Sequence, residues 1–164
     1  MSETDGLLEN ARRYAERFDK ADLAAAPAKR VAVLACMDAR LIPTRVLGLD
    51  EGEAHVLRNA GGVVTDDAIR SLAISQSLLG TREIILLHHT DCGMLSFTDD
   101  EFADRLEQET GERPEWLPRA FSDLEGDVRD SIARLRESPF IPHKDSIRGF
   151  VYDVKSGEVR EVTG

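Results

Sequence analysis

The segment Val31–Cys36, which reads VAVLAC, is an apolar run without a single charged or hydroxyl-bearing residue. Strands with one solvent-exposed face alternate apolar and polar residues, whereas strands buried on both faces of a parallel sheet do not. Two further runs of strand type follow, Ala54 to Leu57 and the Ile- and Leu-rich stretch Glu83 to Leu87. Between them lies a helical pattern that begins after Thr65 and ends at Gly80. This alternation of strand and helix predicts parallel βαβ units.

The rest of the chain adds elements around these units. Apolar residues recur at helical spacing from Leu7 to Phe18, so residues 1–28 are predicted to form an N-terminal helical arm. Residues 128–135 indicate another amphipathic helix, residues 147–154 a strand, and residues 159–162 the return strand of a hairpin. We predict an α/β, Rossmann-like fold: a mainly parallel central sheet flanked by helices, with an antiparallel C-terminal edge strand if the hairpin forms.

Length and composition fit a single domain over residues 1–164 and exclude several classes of partner. The chain has 31 acidic and 21 basic residues and a formal net charge of −10, so its surface repels the phosphates of nucleic acids. No apolar run reaches the roughly 18 residues that suggest a membrane span, and Met1–Asp5 lacks the basic start of a secretory signal. We therefore expect a cytoplasmic protein without nucleic-acid or membrane partners.

The two cysteines are the first candidate functional residues. Disulfides are rare in intracellular proteins, so a metal-binding or catalytic role is the more usual reason for cysteines there. Cys36 ends the first strand and Cys92 follows the third, and ligand sites of open α/β sheets form at the carboxyl ends of strands. His89 precedes Cys92 by three residues and His88 by four, so spacing alone allows either imidazole to complete the set. Two cysteines and one histidine with an open fourth position form a known catalytic zinc site. The alternative is that both cysteines are buried small hydrophobes.

Four short motifs carry a resemblance to a known family. They are Cys36–Arg40 (CMDAR), Arg58–Gly62 (RNAGG), His89–Gly93 (HTDCG) and the C-terminal stretch Gly149–Val154 (GFVYDV). In this order they resemble the β-class carbonic anhydrases, whose signature pairs Cys-x-Asp-x-Arg with a later His-x-x-Cys-Gly. The resemblance runs from about Lys29 to Val162, and the short chain is similar to compact bacterial and archaeal members.

The resemblance implies a hydro-lyase that reversibly hydrates carbon dioxide to bicarbonate and a proton through hydroxide on a zinc ion. It implies one Zn²⁺ per subunit, held by Cys36, His89 and Cys92, which selects His89 over His88. Asp38 and Arg40 are the implied catalytic residues, and Asp38 is a fourth ligand only in a closed state. It further implies a homodimer or a dimer of dimers in which the arm packs on a neighbouring subunit. The substrate pocket is expected to include Asn59, Ala60, Gly61 and Gly93.

Two alternative functions remain open at this point. Some relatives of the family hydrolyse carbon disulfide or carbonyl sulfide, and the pocket shape that separates these substrates cannot be read from the sequence. A non-catalytic zinc-binding or assembly module is the alternative from another class. Asp38 and Arg40 count against it, because a structural site needs neither residue.

Overall fold

The computed structural model describes residues 2–163. A sheet of five strands lies at the centre of the fold. The strands are β1 (Val31–Cys36), β2 (Ala54–Asn59), β3 (Glu83–His89), β4 (Ser146–Tyr152) and β5 (Val159–Val162). Their order is β2-β1-β3-β4-β5, with parallel pairing among the first four and antiparallel pairing of β4 with β5. The predicted mainly parallel sheet with an antiparallel C-terminal edge strand is therefore confirmed.

Five α-helices accompany the sheet in the described part of the chain. They are α1 (Glu3–Ala15), α2 (Pro43–Leu47), α3 (Asp66–Leu79), α4 (Asp99–Thr110) and α5 (Leu124–Glu137). The predicted boundaries of α3 are confirmed: the Thr65 side chain accepts from the Ala68 amide, and Gly80 ends the helix with φ +73°. Helix α2 was not predicted because its five residues are too few to reveal a period. None of the helices among residues 2–163 combines the length and the apolarity needed to cross a membrane.

The core explains why β1 is apolar throughout. Ala32 and Leu34 pack into one cluster, which contains residues of α3 and α5. Val33 and Ala35 point to the opposite face and pack into a second cluster, which also contains Leu41. Since both faces of β1 are covered, no position on this strand is suited to a polar side chain.

Sheet order brings the carboxyl ends of β1 and β3 together. From β1 the chain first adds β2 on one side and then returns to add β3 on the other, so strand order reverses beside β1. Strands β2 and β3 run two residues further than predicted, because Asn59 still pairs with Cys36 and His89 with Tyr152. This reversal point is where open α/β sheets bind their ligands.

Helix α1 lies apart from the core. The helix begins at Glu3, before Leu7, which is the first residue of the predicted apolar pattern. It begins there because Ser2 and Asp5 form a reciprocal capping box. No residue of α1 is buried, and Leu7 is 67 % exposed. The hydroxyl of Tyr14 donates to the carboxylate of Glu51 and so tethers the end of the helix to the body of the domain.

The ion pair between β4 and β5 supports a prediction about pH. Arg148 donates from Nε and Nη2 to the two carboxylate oxygens of Glu161, at 2.7 and 2.6 Å, and this contact lowers the pKa of Glu161. Its stabilising contribution is therefore present above the ordinary glutamate pKa of 4.5 and is lost as pH falls through the lowered value. We expect Glu161→Gln to reduce the free energy of unfolding slightly at pH 7 and by less at about pH 3, where the carboxylate is closer to protonation. Urea titrations at both pH values measure this, and an equal deficit at both would contradict it.

Candidate metal centre

Three metal-ligating side chains meet at the carboxyl ends of β1 and β3. Cys36 is the last residue of β1, His89 is the last residue of β3, and Cys92 lies in the loop that follows. Their donor atoms all lie within 4.8 Å of one another, and the two sulfur atoms are 4.0 Å apart. All three residues are buried. The structure thus assembles the three residues that the family resemblance implied.

His89 is oriented to bind a metal through Nε2. Its Nδ1 lies 2.8 Å from the carbonyl oxygen of Thr90, so Nδ1 carries the proton and donates it. The lone pair of Nε2 then faces the two cysteines, and this buried atom has no hydrogen-bond partner. Buried polar atoms are nearly always paired, so an orphaned imidazole nitrogen beside two thiols fits a metal ion well.

The surroundings of the two thiols shift their pKa values in opposite directions. The two sulfur atoms are in hydrogen-bond contact, which lowers the pKa of Cys36 and raises the pKa of Cys92. Burial raises the pKa of both, and the contact with His89 further lowers that of Cys36. A metal ion binds cysteine as the thiolate, so its binding would release the protons that these thiols carry.

His88 does not join this cluster. Side chains alternate along a strand, so His88 points to the opposite face of β3 from His89. It is fully buried, and its Nε2 lies 2.7 Å from a carboxylate oxygen of Asp127 on α5. The cysteines lie on the side of His89, as the family resemblance implied.

Asp38 and Arg40 border the cluster. Arg40 donates from Nε to Oδ1 of Asp38 at 3.0 Å and from Nη2 to Oδ2 at 2.8 Å, a bidentate contact. The Arg40 amide also donates to Oδ1, at 2.8 Å. The guanidinium above all lowers the pKa of Asp38 well below its ordinary value of 3.8, so this carboxylate is ionised at neutral pH. Its Oδ2 lies 3.7 Å from Nε2 of His89, at the edge of the metal centre.

The four residues expected to form the substrate pocket have different surroundings. Ala60 packs in the same cluster as the two cysteines, and Gly93 has open space where a side chain would stand. Gly61 faces the side chains of Met94 and Phe121. The side-chain amide of Asn59 turns to the carbonyl oxygen of Val63, and its own buried oxygen is unpaired.

Two further residues support the centre, and the sequence motifs that contain them did not predict this role. Arg58 donates to the carbonyl oxygens of Cys36, Asp38 and Leu41 at 2.7 to 3.0 Å, which anchors the backbone of the loop after β1. Asp91 contacts Arg40 from the other loop. Arg58 reaches the loop because β2 is in register with β1, and no local pattern reveals that register.

The chain is similar in sequence and in structure to several known proteins. A family model described as "Carbonic anhydrase" matches residues 31–159. The chain is 58 % identical over 163 residues to β-carbonic anhydrase 1 of Mycobacterium tuberculosis, an alignment that covers 99 % of each chain. It is 37 % identical to the carbon disulfide hydrolase of Saccharolobus solfataricus, over 81 % of this chain and 77 % of that protein. The crystal structure of a carbonic anhydrase from Streptococcus mutans superposes with a TM-score of 0.93 at 46 % identity, covering 99 % of both chains.

Proposed function

Because this chain belongs to the β-carbonic anhydrase family, we propose that it catalyses the reversible hydration of carbon dioxide to bicarbonate and a proton. One structural observation supports the proposed reaction. The buried cluster with its unpaired His89 Nε2 lies directly beside an ionised carboxylate, Asp38, that Arg40 holds by a bidentate contact. A purely structural metal site has no use for such a carboxylate.

We propose that Cys36, His89 and Cys92 hold one Zn²⁺ per subunit. Two thiolates and a neutral imidazole balance the charge of this ion, and three protein ligands leave a fourth position open. When bound there, zinc supplies a Lewis acid that lowers the pKa of a water molecule. The Nδ1–H of His89, held by the Thr90 carbonyl oxygen, keeps the ring in the tautomer that presents Nε2.

Asp38 and Arg40 are the proposed catalytic residues. Asp38 accepts a hydrogen bond from the attacking oxygen, and this contact orients a lone pair of that oxygen toward carbon dioxide. Arg40 keeps Asp38 ionised and fixes the plane of its carboxylate. The Asp38 side chain is only 18 % exposed, so few water molecules compete for it. Asn59, Ala60, Gly61 and Gly93 are the proposed walls of the substrate pocket.

The decisive assay compares two substrates on one preparation. We expect stopped-flow measurements to show carbon dioxide hydration with about one zinc per subunit, and no comparable consumption of carbon disulfide. Removing the metal with a chelator should abolish the activity, and added Zn²⁺ should restore it. Consumption of carbon disulfide without carbon dioxide hydration would assign the enzyme to the other substrate. Bound zinc without either activity would favour a non-catalytic module.

We also propose that the chain works as a homodimer or a dimer of dimers. The 13 residues of α1 contribute nothing to the core, and an isolated helix of this length is marginally stable in water. An apolar groove of about 660 Å³ lies between α3 and α5 of the same chain. We assign this groove to the arm of a second copy. Its apolar lining consists of Ile69, Ala73, Ile74, Pro139 and Phe140.

This assignment predicts a change of oligomeric state. Leu7→Glu on the arm and Ile74→Glu in the groove should each shift the protein toward monomer, since either change buries a carboxylate in the interface. Arg13→Gln is the matched control for Leu7→Glu, because it alters the net charge by the same amount on an exposed part of α1. Sedimentation velocity measures the result. A dimer that survives Ile74→Glu but not Leu7→Glu would move the partner surface away from the groove.

A cytoplasmic location is the last part of the proposal. Cys36 and Cys92 are free thiols 4.0 Å apart, and a zinc site built on both requires that they stay reduced. Reducing compartments such as the cytoplasm maintain this state.

A further inference from the structure

Arg40 is held by two acidic residues, and only one of them belongs to its own loop. Besides its bidentate contact with Asp38, Arg40 donates from Nη1 to Oδ2 of Asp91 at 2.7 Å and from Nη2 to the carbonyl oxygen of Asp91 at 2.9 Å. The guanidinium thus bridges the loop after β1 and the loop after β3. These loops carry Cys36 on one side and His89 with Cys92 on the other.

The backbone of Asp91 is shaped for this double contact. Its φ of 55° lies in the left-handed region, which only three non-glycine residues among the described positions adopt. Asp tolerates this region better than most residues. The conformation presents the carbonyl oxygen and the side-chain carboxylate of one residue to the same guanidinium.

We propose that Asp91 is a positioning residue for the reaction. By accepting from both Nη1 and Nη2 of Arg40, it prevents the guanidinium from rotating, and the plane of the Asp38 carboxylate stays aligned with the reacting atoms. A misplacement of about 1 Å in such an arrangement can lower the rate by up to about 100-fold. The inference rests on the proposed function, because it assigns Asp91 a task in that reaction.

The exposed position of Asp91 indicates that its role is not to stabilise the fold. The Asp91 side chain is 69 % exposed, and ion pairs at such positions add little to stability. Loss of its charge should therefore leave the fold and the metal in place and act on the orientation of Arg40. Asp91 lies in the loop after β3 and contacts Arg40 in the loop after β1. The effect of Asp91 on the reaction therefore depends on the presence of Arg40.

The test uses Asp91→Asn, which keeps the carbonyl oxygen, the size and the tolerance of positive φ but removes the charge. We expect kcat for carbon dioxide hydration to fall about 5- to 20-fold with unchanged KM and zinc content. Asp67→Asn is the matched control, because Asp67 also makes an exposed contact with an arginine, 2.9 Å from Arg70 within α3, and has no contact with Arg40. It should retain wild-type kcat. In an Arg40→Lys background, Asp91→Asn should lower kcat by less than about twofold further, since the two changes act through one contact.

A second readout does not depend on activity. Hydrogen exchange of the Arg40 Nε–H, followed by ¹⁵N NMR, should be faster in Asp91→Asn than in wild type and unchanged in Asp67→Asn. Wild-type kcat or unchanged Nε–H exchange in Asp91→Asn would overturn the inference, as would a loss that adds fully to that of Arg40→Lys. If wild type does not hydrate carbon dioxide, the proposed function fails by itself, and the exchange measurement still decides whether Asp91 holds Arg40.

Discussion

Asp38→Asn is expected to keep its zinc and its fold and to lose about 10²- to 10⁴-fold in kcat. The amide has nearly the volume of the carboxylate, so the loop after β1 has no steric reason to move. It has one oxygen in place of two, however, and its NH₂ group cannot accept from the attacking oxygen. An amide also cannot take both donors of Arg40, which contacts the two carboxylate oxygens separately at 3.0 and 2.8 Å.

Stopped-flow kinetics with metal analysis on the same sample measures this effect. Asp67→Asn again serves as the control for the chemical change itself, because it removes an exposed aspartate with an arginine partner on α3. A kcat within about tenfold of wild type at full zinc content would remove Asp38 from the mechanism. Loss of zinc together with activity would instead indicate that Asp38 serves the protein chiefly as a metal ligand, as in the closed state.

Gly62→Ala is expected to be the most destabilising of the changes considered, by about 2 to 5 kcal/mol. Gly62 has φ +69°, a left-handed conformation that an L-residue with a Cβ adopts at a cost of roughly 1 to 2 kcal/mol. An added Cβ would also lie 2.8 Å from the amide nitrogen of Cys36 and 3.0 Å from the carbonyl carbon of Ala35. Both atoms belong to the backbone of β1, so no side-chain rotation relieves the clash.

The comparison with Gly80→Ala isolates that clash. Gly80 has a similar φ of +73°, but an added Cβ would meet no atom within 4 Å. Urea unfolding of this control should therefore show only the conformational penalty of about 1 to 2 kcal/mol. Gly62→Ala should also bind zinc more weakly, because the displaced strand end carries Cys36. Equal losses of stability in the two variants would show that β1 yields to the added methyl group.

Local features of the fold were predictable because they depend on neighbours in sequence. The cap that Thr65 provides at the start of α3 and the glycine that ends this helix both depend on residues within one helical turn. The apolar run of β1 follows directly from burial on both faces. Helix α2 escaped prediction for the opposite reason, since it is shorter than two turns and has no period to detect.

By itself, the sequence determined the class of fold, the two loops that bear cysteines, and the type of metal they suit. Short-range patterns encode all three: apolar runs, capping residues and the spacing within each motif. Tertiary structure alone decided that His88 turns to Asp127, that Arg58 reaches three carbonyl oxygens, and that Asp91 meets Arg40. These contacts join segments far apart in the chain. They depend on the register of parallel strands and on the left-handed backbone of Asp91, which long-range packing sets.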